Sequence, residues 1–206
     1  MFSPKGMTLE RGWPGRLDGD RVIQLAAQTL QVFFTAGGAL REHAEYPLDE
    51  VDLRAPVLYP PCIRLFGDSL DFAFGNTASI FGPEDEIVYP EGSTDLRTGP
   101  AVAAVIGDNG AIGGFTGANA WSAPDLPGVK ASDFALSVGP VLVTADEYVA
   151  DGEWEARRAH AVRNTALRPG DLLVVRLGGG EAVKRVEHGE AAVEIPGIGT
   201  LRNRIV

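Results

Sequence analysis

Only a few groupings of residues in this chain have the makings of chemistry. Lys130 and Asp133 stand three apart. An amine and a carboxylate so spaced beside a turn can pair, and the plain reading is a surface ion pair of small energetic weight. Asp71, within SLDF, reads as a solvated turn residue. Asn119 and Ser122 read as polar caps of local backbone. The run Glu84-Asp85-Glu86 carries the charge of a metal site, but consecutive residues in a turn diverge, so a solvated turn is expected. Cys62, between Pro61 and Ile63, lacks a nearby His to activate a thiol and reads as a small buried hydrophobe. As the single cysteine it excludes a disulfide framework and any multi-cysteine zinc site. His43 lies among Arg41, Glu42 and Glu45 on a solvated face, and no His follows until His160.

The elements that must position these groups are mostly strands. The chain has 26 Gly and 14 Pro among 206 residues, spread throughout, and they punctuate almost every apolar run. Ile87 to Tyr89, Val102 to Ile106, Val141 to Val143, Leu172 to Val175 and Ala191 to Ile195 are short runs rich in Val and Ile, and they predict strands. Helix is predicted over Gln24 to Ala36, with Gly37-Gly38 as its stop, over a turn or two from Gly38 to Glu45, and over Glu153 to Ala166. The Gly-rich stretch Asn109 to Ser122 fits no single pattern. The prolines of LDEVDLRAPVLYPP mark an extended connector. It separates a small N-terminal subdomain, residues 1–55, from a strand-rich body, residues 56–206. A formal net charge of -10 argues against a nucleic-acid binder, which needs clustered Lys and Arg. No run approaches the ~20 apolar residues of a membrane span, and no signal peptide is visible. The expected location is the cytoplasm, which a lone Cys fits.

Six segments, in order, resemble the fumarylacetoacetate hydrolase superfamily. They are SIFGPEDEIVYP (Ser79 to Pro90), AVAAVIG (Ala101 to Gly107), GFTGANAWSAPDL (Gly114 to Leu126), VKASDFALSVGPVLVTADE (Val129 to Glu147), LRPGDLL (Leu167 to Leu173) and VEIPGIGTLRNRIV (Val193 to Val206). The resemblance implies an α+β, mostly β fold: a mixed β-roll with a small N-terminal subdomain, usually dimeric. It implies action on 2-oxo or β-dicarbonyl acids, by hydrolytic C–C cleavage, decarboxylation or keto–enol isomerisation, with Mg²⁺ or Mn²⁺ as cofactor.

The departures from that pattern matter more. The family holds its metal through Glu-x-Glu and an Asp, hard oxygen ligands whose i, i+2 spacing on a strand aims two of them at one ion. Carried over by the resemblance, those positions fall on Gly99, Ala101 and Ala120, none with a side-chain oxygen. Slips of register would have to recruit Asp95, Asp108 or Asp125. The lid that carries the family's His and Glu is missing between Pro60 and Gly82, and the substrate-contacting Thr-Gly-Thr-Pro turn is replaced by Val175-Arg176-Leu177-Gly178. Lys130 matches the family Lys that holds a substrate oxygen, and Asp133 is its neighbour. Asn119 and Ser122 remain beside the lost Asp. Trp121 replaces a small residue and either fills the vacated pocket or stacks on a ligand.

The reading is a divergent, shortened member of the superfamily without the metal triad, binding a small organic acid or β-dicarbonyl compound. It acts as a homodimer or paired with an intact paralogue, with no cofactor, nucleic acid or membrane partner. Asn119, Trp121 and Ser122 are the candidate binding residues. One alternative is a metal-independent enzyme acting by C–C cleavage, decarboxylation, tautomerisation or cyclisation, with Lys130 polarising a carbonyl and Asp133 or Asp71 carrying the proton. The other is an ordinary Mg²⁺-dependent acylpyruvate-type hydrolase.

Overall fold

A computed structural model describes residues 1–38, 40–149, 153–178 and 182–206. The N-terminal segment carries β1 (Phe2–Pro4), β2 (Gly15–Asp18), β3 (Arg21–Leu25), α1 (Leu30–Thr35), β4 (Glu42–Pro47) and β5 (Val51–Leu53). The body opens with β6 (Ile63–Phe66), β7 (Phe72–Phe74), β8 (Ile80–Phe81), β9 (Glu86–Ile87), β10 (Leu96–Arg97) and β11 (Pro100–Ile106). It continues through β12 (Ile112–Ala120), β13 (Leu136–Thr144), α2 (Glu153–Ala161), β14 (Leu172–Arg176), β15 (Arg185–Val186), β16 (Gly189–Ile195) and β17 (Gly199–Ile205). The mostly β class expected from the sequence is what forms.

The centre is a curled, mixed seven-stranded sheet in the order β7-β6-β14-β11-β12-β13-β8. Its strands pair antiparallel except β13 with β8 and β14 with β6. Side chains alternate across a strand, and β11 shows the consequence on both faces. Ala101, Ala103 and Val105 point into one core, with Leu30 and Phe34 of α1, Ala55 and Val57. Val102, Ala104 and Ile106 point into the other, with Trp154 and Ala161 of α2, and with Val193, Ile195 and Leu201 of the β16–β17 hairpin. A strand covered on both faces reads as a continuous apolar run, and AVAAVI is one. The N-terminal segment has a small cluster of its own, Phe2, Val22 and Val51. It also lends Leu30, Phe34 and Ala55 to the core of the body.

β12 is the stretch the sequence left undecided. Its glycines sit where another chain comes close: a Cβ at Gly114 would lie 2.5 Å from Val143 O, and one at Gly117 2.5 Å from Gly139 O. In a central strand, glycine of this kind marks close backbone approach rather than a loop.

The helices are shorter than predicted. α1 spans only Leu30–Thr35, because Gln24 and Leu25 belong to β3, where Val22 and Ile23 favour the pleat. Thr29 then caps the helix, its hydroxyl accepting from Val32 N at 3.3 Å. The predicted turns from Gly38 to Glu45 are instead the approach to β4, which pairs with β3; Ala39 lies outside the described residues. α2 ends at Ala161 rather than Ala166, and Asn164 with φ 61° has left helical geometry.

Among the described residues one ion pair is buried on both sides. Arg64 of β6 and Asp171, just before β14, are 3.4 Å apart and nearly without solvent. Asp171 also accepts from Arg168 N, which closes the turn into β14. Removing one member strands the other charge. Asp171→Ala is therefore expected to cost about 3–5 kcal/mol, read from the urea midpoint.

Candidate functional site

The site is set by the way β11 begins. Gly99 and Ala120 pass backbone to backbone, with Ala120 N donating to Gly99 O at 2.8 Å. The Asn119 side chain accepts from Gly99 N at 2.7 Å. A Cβ built on Gly99 would lie 2.4 Å from Ala120 O, so no side chain fits there without moving the backbone. In register, Ala101 stands between Ala118 of β12 and Arg176 of β14. The guanidinium of Arg176 reaches over this junction. Its Nη2 donates to Ala120 O at 3.4 Å, and its Nε is 3.6 Å from where a Gly99 Cβ would be.

A small cavity opens beside Ala120. Trp121, Ile63 and Ala120 lie at its buried end, while Asn76, Asp133 and Arg176 also line it. Its volume is about 20 Å³, room for about one water. Trp121 is fixed, its indole N–H donating to Ser137 Oγ at 2.9 Å in the core. Asp133 is held from two sides. Asn76 Nδ2 donates to its backbone carbonyl at 2.9 Å, and Lys130 Nζ lies 2.8 Å from its carboxylate.

Trp121 and Asp133 thus reach the cavity. Lys130 reaches it only through Asp133, and its own side chain is 70% exposed. Asn119, buried one residue before Ala120, spends its amide oxygen on Gly99. Ser122 forms a backbone bridge to Arg97. Asp71 is not brought to the cavity. Between Pro60 and Gly82, where a missing lid was expected, β6 and β7 form a hairpin, and Asp71 sits exposed at its turn with its N–H on Ser69 Oγ. Sequence reasoning missed Arg176, although a signal was present: a cation stands within the stretch where a Thr-Gly-Thr-Pro turn was expected.

The three positions do not suit a metal ion. Gly99 has no room for a carboxylate, and Ala101 and Ala120 bring only methyl groups. The charged side chain that bonds to this junction is a cation, Arg176. The acidic residues that a slip of register would recruit are engaged elsewhere: Asp95 with Arg97, Asp108 with Asn109, Asp125 with Ser93 and Thr94. Among the described residues no group of three or more His, Cys, Asp or Glu is placed to hold a metal. The Glu84–Glu86 run splits as expected, Asp85 accepting from Gly82 N and Glu86 facing Arg204. Burial pushes the Cys62 thiol pKa up, away from a reactive thiolate.

Two carboxylates outside the cavity, Asp95 and Asp125, titrate low. The hydrogen bond from Arg97 lowers Asp95, and that from Thr94 N lowers Asp125. A carboxylate with a depressed folded pKa adds stability above its unfolded value, near 4, and loses it as pH falls through the folded value. Thermal melts from pH 5 downward should show this loss, and Asp125→Asn should flatten it. In the core, Trp121→Phe leaves Ser137 Oγ without its donor and should cost about 1–3 kcal/mol by urea titration.

No family model matches the chain, and none of the curated proteins does. Solved structures do. Maleylpyruvate hydrolase from Sphingobium sp. SYK-6 matches with a TM-score of 0.76 at 20% identity, over 96% of this chain and 97% of that one. The same enzyme in complex with manganese (II) ion and pyruvate matches at 0.75 and 19% identity, over 96% of this chain and 97% of that one. 2-Keto-3-deoxyarabinonate dehydratase matches with a TM-score of 0.76 at 17% identity, over 99% of this chain and 96% of that one. 2-Hydroxyhepta-2,4-diene-1,7-dioate isomerase from Mycobacterium marinum matches at 0.71 and 22% identity, over 94% and 92% of the two chains. Across nearly its whole length, then, the chain has the fumarylacetoacetate hydrolase-like fold.

Proposed function

We propose that this chain binds a small 2-oxo or β-dicarbonyl acid at the cavity beside Ala120, without a metal ion. The observation that carries the reading is the composition of that junction. Gly99, Ala101 and Ala120 offer no oxygen side chain, while positively charged groups, Arg176 at the wall and Lys130 behind Asp133, remain close by. The chemistry of the structural neighbours supports the ligand class, since one of them holds pyruvate. Fold alone does not fix an activity, and those neighbours are variously a hydrolase, an isomerase and a dehydratase. A homodimer or a pairing with an intact paralogue, in the cytoplasm, goes with this reading.

A second reading is a metal-independent enzyme. What favours it is Asp133, a carboxylate that lines the cavity and is paired to a lysine, an arrangement able to hold and pass a proton.

Titration of pyruvate and larger 2-oxo acids in EDTA, followed by calorimetry or ligand NMR, tests the binding reading. Saturable binding is expected. Binding seen only with Mn²⁺, or a clear rise in melting temperature at millimolar Mg²⁺, would overturn the metal-free site. The enzymatic reading expects turnover of a β-dicarbonyl acid in EDTA, lowered about 10²- to 10⁴-fold by Lys130→Ala.

A further inference from the structure

We infer that Arg176 is the anion anchor of this site: its guanidinium takes the carboxylate of the acid, supplying from the protein the positive charge at the Gly99–Ala120 junction. The inference rests on the reading of the cavity as a small-acid site and names the group that does the binding.

Four observations support it. First, the guanidinium is largely unspent. Its recorded protein contact is the 3.4 Å bond to Ala120 O, and among the described residues it has no ion-pair partner. A guanidinium carries several N–H donors in a rigid fork matched to a carboxylate, so most of that fork is available. Second, its root is held. Leu172 to Val174 of β14 are buried, Arg176 pairs in register with Ala101, and Leu177 N donates to Pro100 O at 2.8 Å immediately beyond it. The strand is therefore fixed on both sides of the side chain that would bind. Third, the neighbouring carboxylate does not quench it. Asp133 lines the same cavity, but Lys130 holds its carboxylate at 2.8 Å. Fourth, no carboxylate can reach the guanidinium from Gly99. Gly99 leaves the space beside Arg176 Nε open, and a side chain there would collide with Ala120 O.

The size of the cavity adds a specificity. About 20 Å³ beside Trp121 admits about one water-sized group, such as a single carboxylate oxygen, and not a whole acid. The carboxylate end enters, and the rest of the molecule stays at the mouth near the exposed Asn76. Acids that share the 2-oxo carboxylate and differ in tail length should bind within about threefold of one another, because the tail is not enclosed.

The test uses pyruvate as the probe, in EDTA, against the full chain and its Arg176→Ala, Arg176→Gln and Arg176→Lys variants, with methyl pyruvate as the neutral comparison. Arg176 is exposed, so all three variants should keep the wild-type melting temperature within about 2 °C. Loss of the charged contact should weaken pyruvate about 10- to 100-fold in the Ala and Gln variants. Arg176→Lys should recover part of the loss, since an ammonium keeps the charge without the fork. Methyl pyruvate should bind weakly and be indifferent to the substitution. Pyruvate bound equally by wild type and Arg176→Ala would overturn the anchor while leaving the acid-binding reading in place. Wild-type protein that binds no 2-oxo acid would overturn both.

Discussion

The contact on which the site depends is the close passage of Gly99 against Ala120. Two strands meet there at a distance that leaves no room for a Cβ, so the first position of the cleft is closed to any functional side chain. Asn119 is drawn into holding the junction, its amide oxygen capping Gly99 N. The carbonyl of Ala120 is left as the seat on which Arg176 rests. A backbone contact thus decides which chemical groups reach the cavity and which serve as scaffold.

The rest of the fold keeps that junction still. β11 is sandwiched between two cores, so its start cannot shift without disturbing both. Small residues, Ala on β11 and Gly on β12, let the sheet pack tightly against its neighbours. β14, which carries Arg176, is set by the buried Arg64–Asp171 pair at its other end. A lone buried charge would be far costlier than the matched pair, which ties the entry of β14 to β6. Trp121 fills the floor with a side chain whose polar end is satisfied by Ser137.

Structures with very different named activities share this scaffold with the chain, at identities of 17–22%. A fold of this kind supplies a scaffold on which a site is built. Only the side chains delivered there decide the chemistry. Around the cavity beside Ala120 they include a guanidinium, a lysine-paired carboxylate and an indole.

β11 and β14 were legible in the sequence because burial on both faces writes itself as runs of Val, Leu and Ala, and ordered motifs pointed to the fold. That Gly99, Ala101 and Ala120 carry no side-chain oxygen follows from residue type alone. The helix boundaries were not, since Gln24 to Leu25 and Glu42 to Glu45 have no strong local preference and were settled by pairing with β2, β3 and β4. The Gly-rich stretch 112–120 carried no periodicity, for its glycines answer to neighbours distant in sequence. Which charged groups share the cavity was equally out of reach. Asp71 and Arg176 look alike as isolated charged residues, and only the register of β14 on β11, with the hairpin of β6 and β7, puts one at the cleft and the other in solvent. Residue type set what chemistry was possible; the close approach of chains far apart in sequence decided which of it was assembled.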